Sequence, residues 1–256
     1  MVGQEIEFPC QPTRMSDMRS NADIAPCLSV VMPAYNEAAT IEQAVAAVLA
    51  QRPVQELIVV DDGSQDGTSG ILARLADGEP RIRLFTQESN RGKGAALRRG
   101  FEQAEAPFVI VQDADLEYDP AEYHILLSPL LSGRADVVFG SRFKGAFAQR
   151  VLYFWHSVGN KFLTFLSNMA TDLNLTDMET CYKAFRREVL QKIRLEEDRF
   201  GFEPEITAKV AQLGVRIYEV AISYYGRTYA EGKKIGWTDG CHAVWCIVKY
   251  NFLKRR

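Results

Sequence analysis

The stretch Val109-Ile110-Val111-Gln112-Asp113-Ala114-Asp115-Leu116-Glu117 decides how the rest of the chain is read. Its apolar start has the texture of a short buried strand, and it delivers three carboxylates at alternate positions. If the strand ends near Gln112, a period of two places Asp113, Asp115 and Glu117 on one side of the chain, just past the strand tip. Carboxylates held that close repel one another. A hard divalent cation is the usual reason to gather them, because Mg2+ or Mn2+ binds carboxylate oxygens and leaves positions open for phosphates. An isolated Asp-x-Asp can equally be an acidic loop in water, so the flanking chain has to decide.

Upstream, the same pattern recurs three times. Leu28-Ser29-Val30-Val31-Met32-Pro33 reads as a buried strand closed by a proline, and an amphipathic helix starts near Glu37. Glu56-Leu57-Ile58-Val59-Val60 is a second strand running into Asp61-Asp62-Gly63-Ser64, with helical spacing resuming at Ile71, Leu72 and Leu75. Ile82-Arg83-Leu84-Phe85 is a third strand, and a helix after Gly92-Lys93-Gly94 leads to the fourth at Phe108–Val111. Alternating strands and helices predict a mostly parallel sheet flanked by helices, which binds ligands beyond the carboxyl ends of its strands. A polar cluster stands at each such end: Tyr35-Asn36-Glu37, Asp61-Asp62, Asn90-Arg91-Gly92-Lys93 and Asp113-Ala114-Asp115. Neither G-x-G-x-x-G at the first turn nor G-x-x-x-x-G-K-[ST] is present, which disfavours a dinucleotide dehydrogenase and a P-loop phosphotransferase.

Downstream, Asp136–Gly140 is a fifth strand ending in Ser141-Arg142, whose guanidinium suits a phosphate. The apolar and aromatic run Val151–Leu166 reads as a helix that is either core or a surface facing an acceptor or a membrane. Thr176–Phe185 is a polar loop entering a strand, Phe200–Ile206 opens a helix with Pro204 and acidic residues in its first turn, and Val215–Val220 is a strand. The loop Tyr224–Lys234 combines glycine, aromatic and basic residues, as a lid over phosphates would. Trp237, Cys241, Val244, Trp245, Val248 and Phe252 recur at helical spacing before Lys254-Arg255-Arg256, which fits a helix docked on the domain or one lying in a membrane surface.

Composition narrows the class. The 256 residues are 47% hydrophobic and 25% charged, and so can bury a core without disulfides. A net charge of −3 gives no support for a nucleic-acid binder working through a broad basic surface. The five cysteines, Cys10, Cys27, Cys181, Cys241 and Cys246, lack C-x-x-C spacing and read as reduced thiols in a cytoplasmic protein. Met1–Glu7 lacks the features of a signal peptide, and the apolar segments fall short of the roughly 20 residues that span a bilayer. The organisation expected is a flexible N-terminal arm (1–26), one domain (27–236) with a nucleotide-sugar half (27–140) and an acceptor half (141–236), and a C-terminal amphipathic helix (237–256).

Together the motifs Pro33-Ala34-Tyr35-Asn36-Glu37, Asp61-Asp62-Gly63-Ser64-x-Asp66-Gly67-Thr68, Gly92-Lys93-Gly94, Asp113-Ala114-Asp115-Leu116, Gly140-Ser141-Arg142 and Tyr225-Gly226-Arg227 resemble the family 2 glycosyltransferases of GT-A fold. Within them the motifs look like the branch of polyprenyl-phosphate (dolichol-phosphate) mannosyl- and glucosyltransferases. The resemblance covers about Leu28 to Gly240. It implies a Rossmann-like sheet and inverting transfer of glucose or mannose from UDP-glucose or GDP-mannose. Pro33, Tyr35, Glu37 and Asp62 match residues that hold base and ribose, with Asp61 beside them and Lys93, Asp113 and Ala114 completing the nucleotide-sugar set. Asp115 with Glu117 would hold Mg2+ or Mn2+, Arg142 would face the acceptor phosphate, and Arg227 and Lys233 the donor diphosphate.

Negative charge grows on the departing diphosphate, so the cation, Arg227 and Lys233 would stabilise it. A phosphate acceptor needs no strong base. A soluble hydroxyl acceptor would, and Asp177 is then the first candidate and Glu205 the second. Three readings follow: a transferase acting on a polyprenyl phosphate, peripheral on the cytoplasmic membrane face; the same donor chemistry on a soluble hydroxyl; and a sugar-nucleotide-binding protein without turnover.

Overall fold

β-Branched and aliphatic runs without polar alternation need cover on both faces, and here helices supply it. The computed structural model describes residues 20–145, 150, 151, 153–226 and 237–254. Its first half alternates strictly: β1 (Leu28–Ala34), α1 (Ile41–Leu49), β2 (Val54–Asp61), α2 (Thr68–Gly78), β3 (Ile82–Thr86), α3 (Lys93–Gln103) and β4 (Phe108–Val111). The second half carries α4 (Tyr123–Leu131), β5 (Val137–Ser141), α5 (Phe154–Thr171), β6 (Lys183–Arg186), α6 (Arg187–Leu190), α7 (Phe202–Gln212), β7 (Ile217–Ala221) and α8 (Trp237–Val248), closed by a π-helical turn at Lys249–Leu253.

The seven strands form one sheet in the order β3-β2-β1-β4-β6-β5-β7. All neighbours are parallel except β6, which runs antiparallel to both β4 and β5. In register, Val31 on β1 stands between Ile58 on β2 and Val111 on β4, so these strands end at one edge of the sheet. Val30, Val31, Leu57, Ile58, Val59, Val60, Val109, Ile110 and Val111 are fully buried. Burying each such side chain contributes about 1.5–3 kcal/mol, which fixes the sheet as the rigid platform under the loops at that edge. The expected mixed α/β sheet flanked by helices is therefore what forms.

One expectation needs adjusting. Residues 20–26, placed in a flexible arm, are docked: Asn21 is buried, donates to Gln51 Oε1 (2.8 Å) and the Pro120 carbonyl (2.9 Å), and accepts from the His124 amide (2.7 Å). Residues 1–19 lie outside the described residues. Of the two readings open for the apolar run at 151–166, the structure goes against an ordinary core helix for α5. Its buried face is polar, with Asn160, Thr164 and Ser167, while Trp155, Val158, Phe162, Phe165 and Met169 are exposed. α8 packs on α5 and α7. It buries Ala243, Cys246 and Ile247 and turns Trp245 outward. Among the described residues no helix is long and apolar enough to cross a membrane.

Candidate functional site

The opening stretch does not continue as an extended strand. β4 ends at Val111, and Leu116 takes φ 63°, a left-handed conformation that L residues other than Asn and Asp seldom adopt. The period-two expectation fails beyond the strand tip for that reason, and the acidic residues sit on a turn. Asp113, Ala114, Asp115 and Glu117 nevertheless line one cavity of about 780 Å³. The turn is held from beneath by Gln112, whose Oε1 accepts from Tyr123 Oη (2.8 Å) and Tyr182 Oη (2.6 Å) and whose amide donates to the Asp113 carbonyl (3.1 Å). Tyr118 stacks on Tyr182 with ring centroids 4.7 Å apart. Tyr224 Oη donates to Glu117 Oε2 (2.7 Å), and the Glu117 amide donates to Asp115 Oδ1 (3.2 Å). These half-buried acids thus rest on a buried aromatic frame.

Pro33, Tyr35, Glu37 and Asp62 line the same cavity from β1 and β2, as Lys93 does from α3. Asp62 is buried and takes hydrogen bonds from Gln87 Nε2 (2.7 Å) and the amides of Arg91 (2.8 Å) and Gly92 (2.7 Å). Burial raises its pKa against the opposing pull of those amides. Its oxygens thus shape the loop that opens α3. Asp61, fully buried beside it, accepts from the Ser64 amide (3.0 Å) and the Ser69 hydroxyl and is not among the cavity-lining residues. Gly92 has φ 104°, and a Cβ at Gly92 or Gly94 would collide with the carbonyl oxygens of Asp198 and Glu197. Close approach of segment 197–199 to the start of α3 is what these glycines permit. Lys93 Nζ then lies 3.0 Å from Asp113 and 3.2 Å from Glu203. Burial alone would lower the lysine's pKa, but the charges of Asp113 and Glu203 hold it well above the ordinary value.

On the far wall, Arg142 reaches the cavity while its Nε and Nη2 hold Asp177 at 2.7 and 2.8 Å, and its amide donates to the same carboxylate at 3.0 Å. Asp177 is fully buried. Both of its oxygens are committed to Arg142, so the geometry places it as the residue that fixes the guanidinium and counts against it as a proton acceptor. Glu205 is likewise fully buried and accepts from the amides of Glu196 (2.7 Å) and Glu197 (2.8 Å) and from Lys209 (2.6 Å). It braces the loop before α7 and does not line the cavity. Arg227 and Lys233, expected to face the diphosphate, lie outside the described residues.

The structure also brings in residues that motif spacing did not mark: Glu179, Cys181, Arg199, Glu203 and Tyr224 line the cavity. Burial, then the charge of Glu203, pushes the Glu179 carboxyl up to about 8. A separate trio, Glu197, His242 and Cys246, has its donor atoms within 4.8 Å of one another. Glu197 is already engaged by Lys249 (2.7 Å), Tyr250 (2.7 Å) and His242 (3.0 Å). Burial alone would raise its pKa, yet these bonds bring it down to about 2. The trio ties α8 to the loop that carries Arg199.

A mostly parallel α/β sheet with carboxylates, a lysine and a paired arginine around one cavity beyond its strand tips has the layout of a nucleotide-binding transferase domain. The chain belongs to glycosyl transferase family 2, whose family pattern matches residues 29–194. Glycosyltransferase AglD of Haloferax volcanii is 31% identical over 206 residues, covering 77% of this chain, which spans 33% of that relative's length. Polyprenol monophosphomannose synthase of Mycolicibacterium smegmatis is 30% identical over 214 residues, 81% of this chain and 80% of that protein. Among solved structures, glucosyl-3-phosphoglycerate synthase from Mycobacterium tuberculosis, in complex with Mn2+, uridine diphosphate and glucosyl-3-phosphoglycerate, superposes with a TM-score of 0.69 at 22% identity, covering 96% of this chain and 86% of that one. The family resemblance read from the motifs and the GT-A type of fold are both borne out.

Proposed function

We propose that this glycosyltransferase moves a glucose or mannose unit, with inversion, from a nucleoside-diphosphate sugar to a polyprenyl-phosphate-type acceptor. Pro33, Tyr35, Glu37 and Asp62 form the nucleotide end of the cavity. Lys93 and Asp113 stand at the phosphate end, and Arg142, oriented by Asp177, draws the acceptor phosphate in. Arg227 and Lys233 keep their proposed place at the donor diphosphate.

Asp115 and Glu117 fit a divalent cation by the chemistry of the donor set, since both offer the carboxylate oxygens that Mg2+ and Mn2+ prefer. The bound ion would supply positive charge to the leaving diphosphate. The Mn2+ and uridine diphosphate named with the structural neighbour support this assignment and a UDP-sugar donor, while the mannose synthase relative keeps GDP-mannose in view.

One observation carries the choice of a lipid acceptor: α5 is inside out. Its Asn160 lines the cavity, while Trp155, at the cavity mouth, begins the exposed stripe that runs through Phe162, Phe165 and Met169. An apolar face that continues from a phosphate-binding cavity suits a polyprenyl chain whose phosphate enters at Arg142 and whose tail stays in the bilayer surface. On this reading the protein works at the membrane face. A panel of UDP- and GDP-sugars, screened by thermal unfolding with and without Mg2+ or Mn2+, tests the donor half. A metal-dependent rise in Tm with one nucleotide series is expected, and no shift with any of them would refute it. Transfer to a soluble hydroxyl in preference to polyprenyl phosphate would overturn the lipid half.

A further inference from the structure

Two cavity carboxylates are left over once the metal and phosphate roles are assigned. Glu203, in the first turn of α7, is 4% exposed. Its Oε1 pairs with Lys93 at 3.2 Å, while its Oε2 is buried and finds no hydrogen-bond partner among the described residues. Glu179, on the loop entering β6, has a buried Oε1 in the same condition. Both residues line the cavity. Buried carboxylate oxygens without partners are costly, and a native fold that keeps two of them in one cavity calls for a ligand that satisfies them.

The chemistry of that ligand follows from what surrounds them. The Glu203 carboxylate paired with Lys93 accepts, and the Glu179 carboxyl, pushed up to about 8, can donate as well as accept, so the ligand must bring groups able to do both. A diphosphate or a lipid phosphate brings only acceptors and negative charge. A second cation is disfavoured by the ammonium of Lys93 on Glu203 and by the buried Lys183, whose charge acts on both carboxyls. A neutral polyol meets every condition. Lys93 bridges Glu203 to Asp113, so Glu203 lies next to the phosphate end of the cavity, where the sugar of a sugar nucleotide would sit, and Glu179 lines the same cavity.

We infer that Glu203 Oε2 and Glu179 Oε1 form the hexose subsite, exchanging hydrogen bonds with hydroxyl groups of the transferred sugar. The inference rests on the donor assigned above and deepens it. These two residues then set sugar specificity, because a site built to bond a hydroxyl strongly rejects the analogue that lacks it.

Calorimetry in the presence of Mn2+ tests this on wild type, Glu203→Gln and Glu179→Gln, using the free nucleoside diphosphate, its glucose and mannose conjugates, and singly deoxygenated sugar analogues. Free nucleoside diphosphate should bind all three proteins within about twofold. The sugar nucleotide should bind Glu203→Gln roughly tenfold to a hundredfold more weakly, as expected for a lost hydrogen bond to a charged group, and Glu179→Gln, whose carboxyl is mostly neutral near pH 7, about twofold to tenfold more weakly. One deoxy analogue should bind wild type as weakly as the matching variant, with no further loss in that variant. Equal weakening of nucleotide and sugar nucleotide, or a wild type indifferent to deoxygenation, would overturn the hexose subsite while leaving the donor reading intact. A wild type that binds no nucleoside diphosphate would overturn the donor reading and the subsite with it. Should Glu203→Gln fail to fold for loss of its Lys93 partner, Glu179→Gln and the deoxy series on wild type decide the matter.

Discussion

Asp177 shows how a residue's role turns on its partner. From the chain alone it was a candidate base, because a loop carboxylate near a sugar-transfer site is chemically suited to one. Its partner Arg142 stands 35 residues away, and nothing in the spacing links them. Removing one member of a buried pair leaves a charge uncompensated, so Asp177→Asn should lose roughly 3–5 kcal/mol of stability in chemical denaturation. The residual activity should keep the wild-type pH–rate profile. A variant of wild-type stability whose profile loses its acid limb would restore Asp177 as the base. Glu197 makes a second residue-scale prediction. Its folded pKa of about 2 lies below the ordinary 4.5, so the stability it contributes is fully present above about pH 4.5 and is lost as pH falls toward 2. At about 1.4 kcal/mol per unit, that is at most about 3 kcal/mol. Denaturation at pH 7 and pH 3 should show a smaller acid loss for Glu197→Gln than for wild type, and equal losses would contradict the assignment.

At the scale of elements, β1, β2 and β4 were legible because each is an aliphatic, largely β-branched run closed by Pro33, by Asp61-Asp62 or by Asp113-Ala114-Asp115. What was not legible depended on packing. The short β6 carries no mark of its direction, and its antiparallel place between β4 and β5 is set by the whole sheet. Leu116 gave no warning of a left-handed turn, since leucine has no side-chain device for that conformation. For α5 the apolar content was plain but its facing was not, because the polar Asn160, Thr164 and Ser167 are buried only through what lies beneath them. Replacing Phe162 and Phe165 with serine should change stability by no more than about 0.5 kcal/mol per site, as both are exposed. Co-sedimentation with anionic vesicles containing polyprenyl phosphate should fall severalfold. A large loss of stability with unchanged sedimentation would instead make the stripe part of a packed interface.

Across the whole molecule, four strand ends and their polar clusters were visible in the chain, and the sheet brings Tyr35, Asp62, Lys93 and Asp113 to one cavity. The missing part was its far wall, where Glu179 and Glu203 come from segments with no motif of their own. The central claim is that this cavity carries out cation-dependent hexosyl transfer to a lipid phosphate, and transfer of labelled hexose from UDP-glucose and GDP-mannose into butanol-extractable polyprenyl phosphate measures it most directly. With Mn2+ or Mg2+ one donor should label the lipid. Chelation should abolish the signal, and Asp115→Ala should lower it by at least about a hundredfold. Labelling that persists undiminished in chelator or in Asp115→Ala, or no labelled lipid from either donor, would contradict the account.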